Sequence, residues 1–206
     1  NNKIAAIILN RNLPVATNNL YENIKKNNKV DIFVVEAGSD KNKLSKYCTW
    51  YADWPEAKKN GLRFSRGMNY ALYKMFKNGS LYKYDYVLLL TNDIEFKTKK
   101  FDKIFSRIFK NHPRLGILSP LSENYGEGRI LNRKKKLKYF WYVENYALVL
   151  RKEYIMDMVL KDTKNYLNFL FDGSNFRGYG SQSEICAKSY LNFWSVGITN
   201  EVKVKE

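Results

Sequence analysis

Three short apolar runs constrain this chain more than any other feature: IAAIIL at residues 4–9, VDIFVV at 30–35 and VLLLT at 87–91. Each is too short for a buried helix and rich enough in β-branched residues to predict a strand. The segments between them carry a different period. Pro14 suits a helix start, and Leu20, Tyr21 and Ile24 then share one face as far as about Lys26. From about Arg66, the spacing of Met68, Ala71, Leu72, Met75 and Phe76 predicts a second amphipathic helix, closed by Asn78-Gly79. Continuous apolar strands alternating with helices predict a mostly parallel sheet covered on both faces.

The second half has a different grain. A helix is predicted over 101–111, a short strand over 115–119 and a Gly-containing loop over 122–132. Residues 140–150 read as one long strand or a strand pair, which makes a small antiparallel element, and 153–160 as a helix. A Gly-rich polar stretch, FDGSNFRGYGSQSEIC, leads into a helix from about Gln182 to Leu191. Residues 41–60 follow no clear period. With 206 residues, no repeat and no linker, one α/β domain is expected: a binding half over about 1–96 and a second half over about 97–206.

No apolar run approaches the ~18 residues of a membrane span. Cys48 and Cys186 form no CxxC pattern, and the start reads as a strand with no signal-peptide cleavage pattern. The expected setting is therefore cytoplasmic, with reduced thiols. The net charge of +16 admits an anionic partner, but most lysines are scattered. The exception is RILNRKKKLK at 129–138, followed at once by Tyr139, Phe140, Trp141 and Tyr142. Basic residues beside interfacial aromatics suit peripheral contact with an anionic membrane, and equally a solvated loop before a strand. Nucleic acid is not an expected partner.

In parallel sheets ligands bind at the carboxyl ends of the strands. Here those ends read Asn10-Arg11-Asn12, Glu36-Ala37-Gly38-Ser39-Asp40 and Asn92-Asp93-Ile94-Glu95. Two acids one residue apart after a core strand place hard oxygen ligands on a turn, the way Mg²⁺ or Mn²⁺ is held when a phosphate-bearing substrate completes the shell. The same residues also suit a helix N-cap, with Lys97 and Lys99 pairing the acids. There is no GxGxxG or GxxxxGK[ST] loop, so dinucleotide and P-loop readings are weak.

Four stretches, IAAIILNRNLPVATNNLYENI, DIFVVEAGSD, NGLRFSRGMNYALYKM and YDYVLLLTNDIEF, resemble in order and spacing the GT-A glycosyltransferases of family 2. The likeness covers about residues 4–193 and is strongest up to Phe96. It implies a single GT-A, Rossmann-like domain that moves a sugar from a nucleotide-diphosphate donor (UDP, GDP or dTDP type) to a glycan or lipid-linked acceptor. A bacterial surface-polysaccharide pathway at the inner face of the plasma membrane is the implied setting, and inversion the implied outcome. Asn10, Arg11 and Asn12 would line the floor under the nucleotide, and Glu36 would read the base or ribose. Gly67 and Asn69 would lie against the donor. Thr91, Asn92 and Asp93 occupy the DXD-type positions, with Asp93 on the metal, Mn²⁺ or Mg²⁺, and Glu95 an outer ligand. Thr91 departs from the pattern, which has an acid there.

The resemblance places an acidic catalytic pair at Ser181 and Gln182, where this chain has none. Asp172 and Glu184 are then the candidates for the base that takes the acceptor's proton. Asp172 follows an apolar run, whereas Glu184 opens a helix whose dipole would hold its pKa down. Glu144 and Tyr142, inside an aromatic run, are candidate acceptor contacts, because aromatics stack on sugars while carboxylates accept hydroxyl hydrogen bonds. A solvent-facing strand position explains Glu144 as well. A catalytically degenerate GT-A protein and a basic membrane- or nucleic-acid-binding module are the competing readings.

Overall fold

The computed structural model describes residues 2–122, 124, 136–159, 165–175 and 177–206. The basic residues 129–135 and most of the loop predicted over 122–132 lie outside them, as does Leu160. The first half runs β1 (Ile4–Asn10), α1 (Pro14–Asn27), β2 (Asp31–Glu36), β3 (Cys48–Tyr51), α2 (Pro55–Asn60), α3 (Arg63–Lys77) and β4 (Tyr86–Thr91). β1 pairs in parallel with both β2 and β4, and β2 with β3. The register sets Asn10 opposite Glu36 and Leu9 opposite Thr91, so three strands end level with one another.

Alternation within β1 and β4 assigns the two faces. Ala5, Ile7, Val87 and Leu89 join one core with Met68, Leu72 and Met75 of α3. Ala6, Ile8, Leu88 and Leu90 join the other with Leu20 and Ile24 of α1 and with Phe101, Phe105 and Phe109. That period of two within runs that look uniformly apolar is what a sheet buried on both faces requires. α3 lies close on β1: a Cβ at Gly67 would come within 2.4 Å of Leu9 Cδ1.

The second half adds β5 (Glu95–Phe96), α4 (Phe101–Asn111), β6 (Leu115–Ser122), β7 (Leu137–Tyr139), β8 (Ala147–Arg151), α5 (Lys152–Met158), α6 (Ser181–Leu191) and β9 (Ser195–Lys205). The sheet order is β3-β2-β1-β4-β8-β6-β9-β5, with β7 on β9. β8 is antiparallel to β4 and to β6, so β6 and β9 run in the direction of β4. The antiparallel element is thus real, but its strand β8 lies inside the sheet.

One expectation needs correction, and two stretches hold elements that were not expected. Of residues 140–150, only those from Ala147 on are strand; 140–146 cross from β7, on β9, to β8, between β4 and β6. Residues 41–60 hold a short strand and a one-and-a-half-turn helix begun by Pro55, too brief to show a period. The eleven-residue β9 escaped prediction because polar Thr199, Asn200 and Glu201 interrupt its alternation, where its register on β6 also shifts. Cys48 is exposed and Cys186 buried, both as free thiols. Among the described residues no helix is long and apolar enough to cross a membrane.

Candidate active site

The level ends of β1, β2 and β4 are joined by a buried polar network. Glu36 is fully buried and accepts from Asn10 Nδ2 at 3.1 and 2.9 Å, Ser39 Oγ at 2.6 Å and the Ser45 amide at 2.7 Å. Asn10 Oδ1 in turn accepts from Asn92 Nδ2 at 3.1 Å and the Leu13 amide at 3.1 Å. Asn92 also donates to Thr17 Oγ1 at 3.0 Å, which ties in α1. The tight turn after β2 needs Gly38: its φ is +85°, and a Cβ there would meet the Ala57 carbonyl oxygen at 1.8 Å. Asn12, at φ +61°, accepts from the Asp40 amide at 2.8 Å and holds the β1 loop against this turn.

Glu36 and Asn10 were expected to meet the nucleotide. In this structure both are wholly inside the network, and their side chains organise the floor from beneath. The surface above it is a cleft of about 250 Å³ lined by Leu9, Arg11, Leu13, Ala37, Arg63, Thr91, Asn92 and Asp93. Arg11 donates to the carbonyls of Lys58 and Lys59 at 3.2 and 3.3 Å, which holds its guanidinium beside the cleft. Arg63 opens α3 with φ +58°, a left-handed conformation uncommon for a side chain of that size. Two cations and one exposed carboxylate therefore border a single cleft at the strand ends.

Asp93 has no cation partner among the described residues. Glu95 differs: it is paired with Lys97 at 2.6 Å and lies on β5, outside the cleft lining. It shares with Asp93 a second cavity of about 450 Å³ toward α1 and the end of β9. The described residues contain no group of three or more His, Cys, Asp or Glu able to hold a metal. Asp93 is the cleft carboxylate that could hold a divalent ion such as Mg²⁺ or Mn²⁺, with a diphosphate supplying other oxygen ligands.

Gly67 and Asn69 are placed differently from expectation. Gly67 packs on Leu9, and Asn69 is fully buried under the segment before α6. Its Nδ2 donates to the Leu167 and Phe171 carbonyls at 2.7 and 2.8 Å, and its Oδ1 accepts from the Leu170 and Phe171 amides at 3.0 and 2.9 Å. Arg66 Nε adds a bond to the Gly173 carbonyl at 2.7 Å. α3 thus fastens residues 167–173 onto the core.

Asp172 and Glu184 line a cavity of about 600 Å³ with Asp157, Lys188 and Asn192, and it shares no lining residue with the cleft. Asp172 accepts from the Ser174 amide at 2.8 Å. That bond, the Ser174 hydroxyl and nearby Lys188 hold its carboxyl below the usual aspartate range, against a smaller opposing effect of burial. This weakens Asp172 as a base, contrary to the contrast drawn from sequence. Glu184 is ion-paired with Lys188 one turn on.

Glu144 and Tyr142 lie elsewhere. The Thr91 amide donates to the Tyr146 carbonyl at 3.1 Å, so the segment carrying Glu144 leaves the sheet at the edge where β4 ends. Tyr142 donates its hydroxyl to Glu144 Oε1, and Gln182 Nε2 reaches Glu144 Oε2 at 3.4 Å and the Tyr142 oxygen at 3.3 Å. Asn145, which sequence reasoning missed, donates to Ser181 Oγ at 3.0 Å and Gln182 Oε1 at 3.2 Å. Only the crossing of 140–146 to β8 brings it there, and no local pattern encodes that. Ser39, legible only as a turn residue, and Ser45, inside the stretch without a clear period, were also missed.

No protein-family model and no curated protein sequence matches the chain. Solved structures do. GalNAc-T7 with UDP, GalNAc and Mn²⁺ superposes on all of this chain with a TM-score of 0.67 at 11% identity. The mannosyltransferase PcManGT from Pyrobaculum calidifontis, in complex with GDP-Man and Mn²⁺, does so with a TM-score of 0.64, also at 11%. S. aureus TarS 1-349 in complex with UDP-GlcNAc matches 99% of the chain with a TM-score of 0.60 at 14% identity. The chain covers 44, 56 and 58% of those three, about half their length. The fold is therefore GT-A: one curled, mostly parallel sheet with antiparallel strands, flanked by helices.

Proposed function

We propose that this GT-A chain transfers a sugar from a nucleotide-diphosphate sugar to a hydroxyl of a glycan or glycolipid acceptor, with a divalent metal at Asp93. The observation that carries the reading is the cleft over the ends of β1, β2 and β4, where Arg11, Arg63 and Asp93 meet. A diphosphate is a dianion or more, and two guanidinium groups on a cleft rim are suited to it. Its leaving requires stabilisation of developing charge, which bound Mn²⁺ or Mg²⁺ supplies as a Lewis acid. The floor network holds the three strand ends at fixed spacing, so the cleft is formed before ligand arrives. The solved GT-A structures that carry UDP or GDP-Man support the same reading.

The test is melting temperature with UDP, GDP and dTDP, each with and without Mn²⁺. Nucleotide and metal together are expected to raise it where neither alone does. A basic binding module predicts no such coupling, and its absence for all three nucleotides would sink the reading.

Contact with anionic lipid belongs to the same reading as a separate proposal. Lys136 and Lys138, the described end of the basic run, adjoin exposed Tyr139 and Trp141. This patch lies toward the start of β9, whereas the cleft lies at the ends of β1, β2 and β4. Lys136→Glu with Lys138→Glu is expected to lower sedimentation with phosphatidylserine vesicles; binding indifferent to both the substitutions and salt refutes the contact.

A further inference from the structure

We propose that Glu144 is the carboxylate that takes the proton of the attacking hydroxyl, an assignment that rests on the glycosyl-transfer reading above. Three acids compete for the role, and position separates them. Asp172 and Glu184 face the cavity beside α5 and α6, where one is folded onto Ser174 and the other onto Lys188. Glu144 stands on the segment bonded to Thr91, the residue that opens the acidic turn of the cleft. Among the described residues no cation is paired with it; it accepts from the Tyr142 hydroxyl and the Gln182 amide. Asp172 and Glu184 line a cavity that shares no residue with the cleft, and Glu184 is neutralised by Lys188 as well, so position leaves Glu144 as the acid on the cleft side.

Orphaned polar atoms mark the same corner. Asn145 Oδ1 and Ser65 Oγ are buried and have no hydrogen-bond partner among the described residues. Asn145 is bonded to Ser181 and Gln182 at the start of α6. Ser65, in the first turn of α3, lies against Gly178, just before α6. A buried polar atom without a partner costs about 1–3 kcal/mol, so two in one corner point to a hydroxyl-bearing occupant. In the transfer, the acceptor oxygen forms the new bond to the anomeric carbon as the bond from that carbon to the diphosphate oxygen breaks. The electron pair leaves on the diphosphate, and the hydroxyl proton passes to Glu144.

The chain is tested with Mn²⁺ and UDP-N-acetylglucosamine, UDP-galactose, GDP-mannose or dTDP-glucose, following release of nucleoside diphosphate with water as acceptor. Stabilisation by the free nucleotides is measured in parallel. Glu144→Gln is expected to slow release by about 100-fold or more, with nucleotide stabilisation intact. Asp172→Asn and Glu184→Gln are expected to stay close to wild type. Wild-type release that survives in Glu144→Gln but is lost in either other variant overturns the assignment. So does a wild type that binds nucleotide yet releases none from any donor, which leaves the nucleotide site standing. A wild type that neither binds nor turns over overturns the transfer reading itself.

Discussion

Asp93→Asn is expected to abolish the Mn²⁺-dependent stabilisation of this chain by UDP or GDP while leaving the bare protein as stable as wild type. Asp93 is exposed on the turn after β4, and no described cation is paired with it, so removing its charge breaks no ion pair. An amide keeps the side chain's shape but loses most of its affinity for a hard divalent cation. At nucleotide about 100-fold above its Kd, wild type gains roughly 2.7 kcal/mol of stability. The variant is expected to gain almost none of it. The measurement is melting temperature across a Mn²⁺ and nucleotide titration. Undiminished coupling in the variant removes Asp93 from the metal site; a destabilised bare variant instead makes Asp93 structural.

Glu36→Ala is expected to have the opposite signature, a large loss of stability before any ligand is added. The buried carboxylate accepts from Asn10, Ser39 and the Ser45 amide, and truncation leaves those donors without it in a site closed to solvent. At about 1–3 kcal/mol for each orphaned group, the sum is on the order of 4 kcal/mol, part of it recovered if water enters. That is a large share of the roughly 5–15 kcal/mol that holds a domain together. Glu36→Gln is expected to cost less, because one acceptor oxygen remains, though its new amide donors then face Asn10 Nδ2. Urea midpoints of the two variants against wild type decide it. A loss below about 1 kcal/mol in Glu36→Ala means the network does not organise the strand ends.

Legibility followed the range of the interactions involved. β1, α1, β2, α3, β4 and α4 were all readable, because burial on two faces or one stripe leaves a periodic record along the chain itself. α4 was expected over the residues it occupies, with Phe101, Phe105, Ile108 and Phe109 on its buried face. β3, α2 and β9 were not readable: the first two are shorter than a period needs, and β9 carries polar residues at an irregular register. Of the expected site residues, Arg11, Thr91, Asn92 and Asp93 line one cleft. Asn10 and Glu36 lie in the network beneath, and Asn69 under residues 167–171.

By itself, then, the amino-acid sequence determined that this chain forms a mostly parallel sheet with polar residues at three strand ends. Strand and helix periods are local, and the parallel arrangement follows from strands buried on both faces. Which polar side chains face outward was decided by the tertiary structure alone. A Glu at a strand end is equally suited to a ligand or to a buried network, and the difference lies in whether Ser39 and Ser45 fold back over it. The neighbourhood of Glu144 was decided the same way, by a crossing that inserts β8 between β4 and β6 and sets residue 144 beside residue 182. Contacts between residues so far apart depend on the packing of whole elements, and packing leaves no period in a sequence to be read.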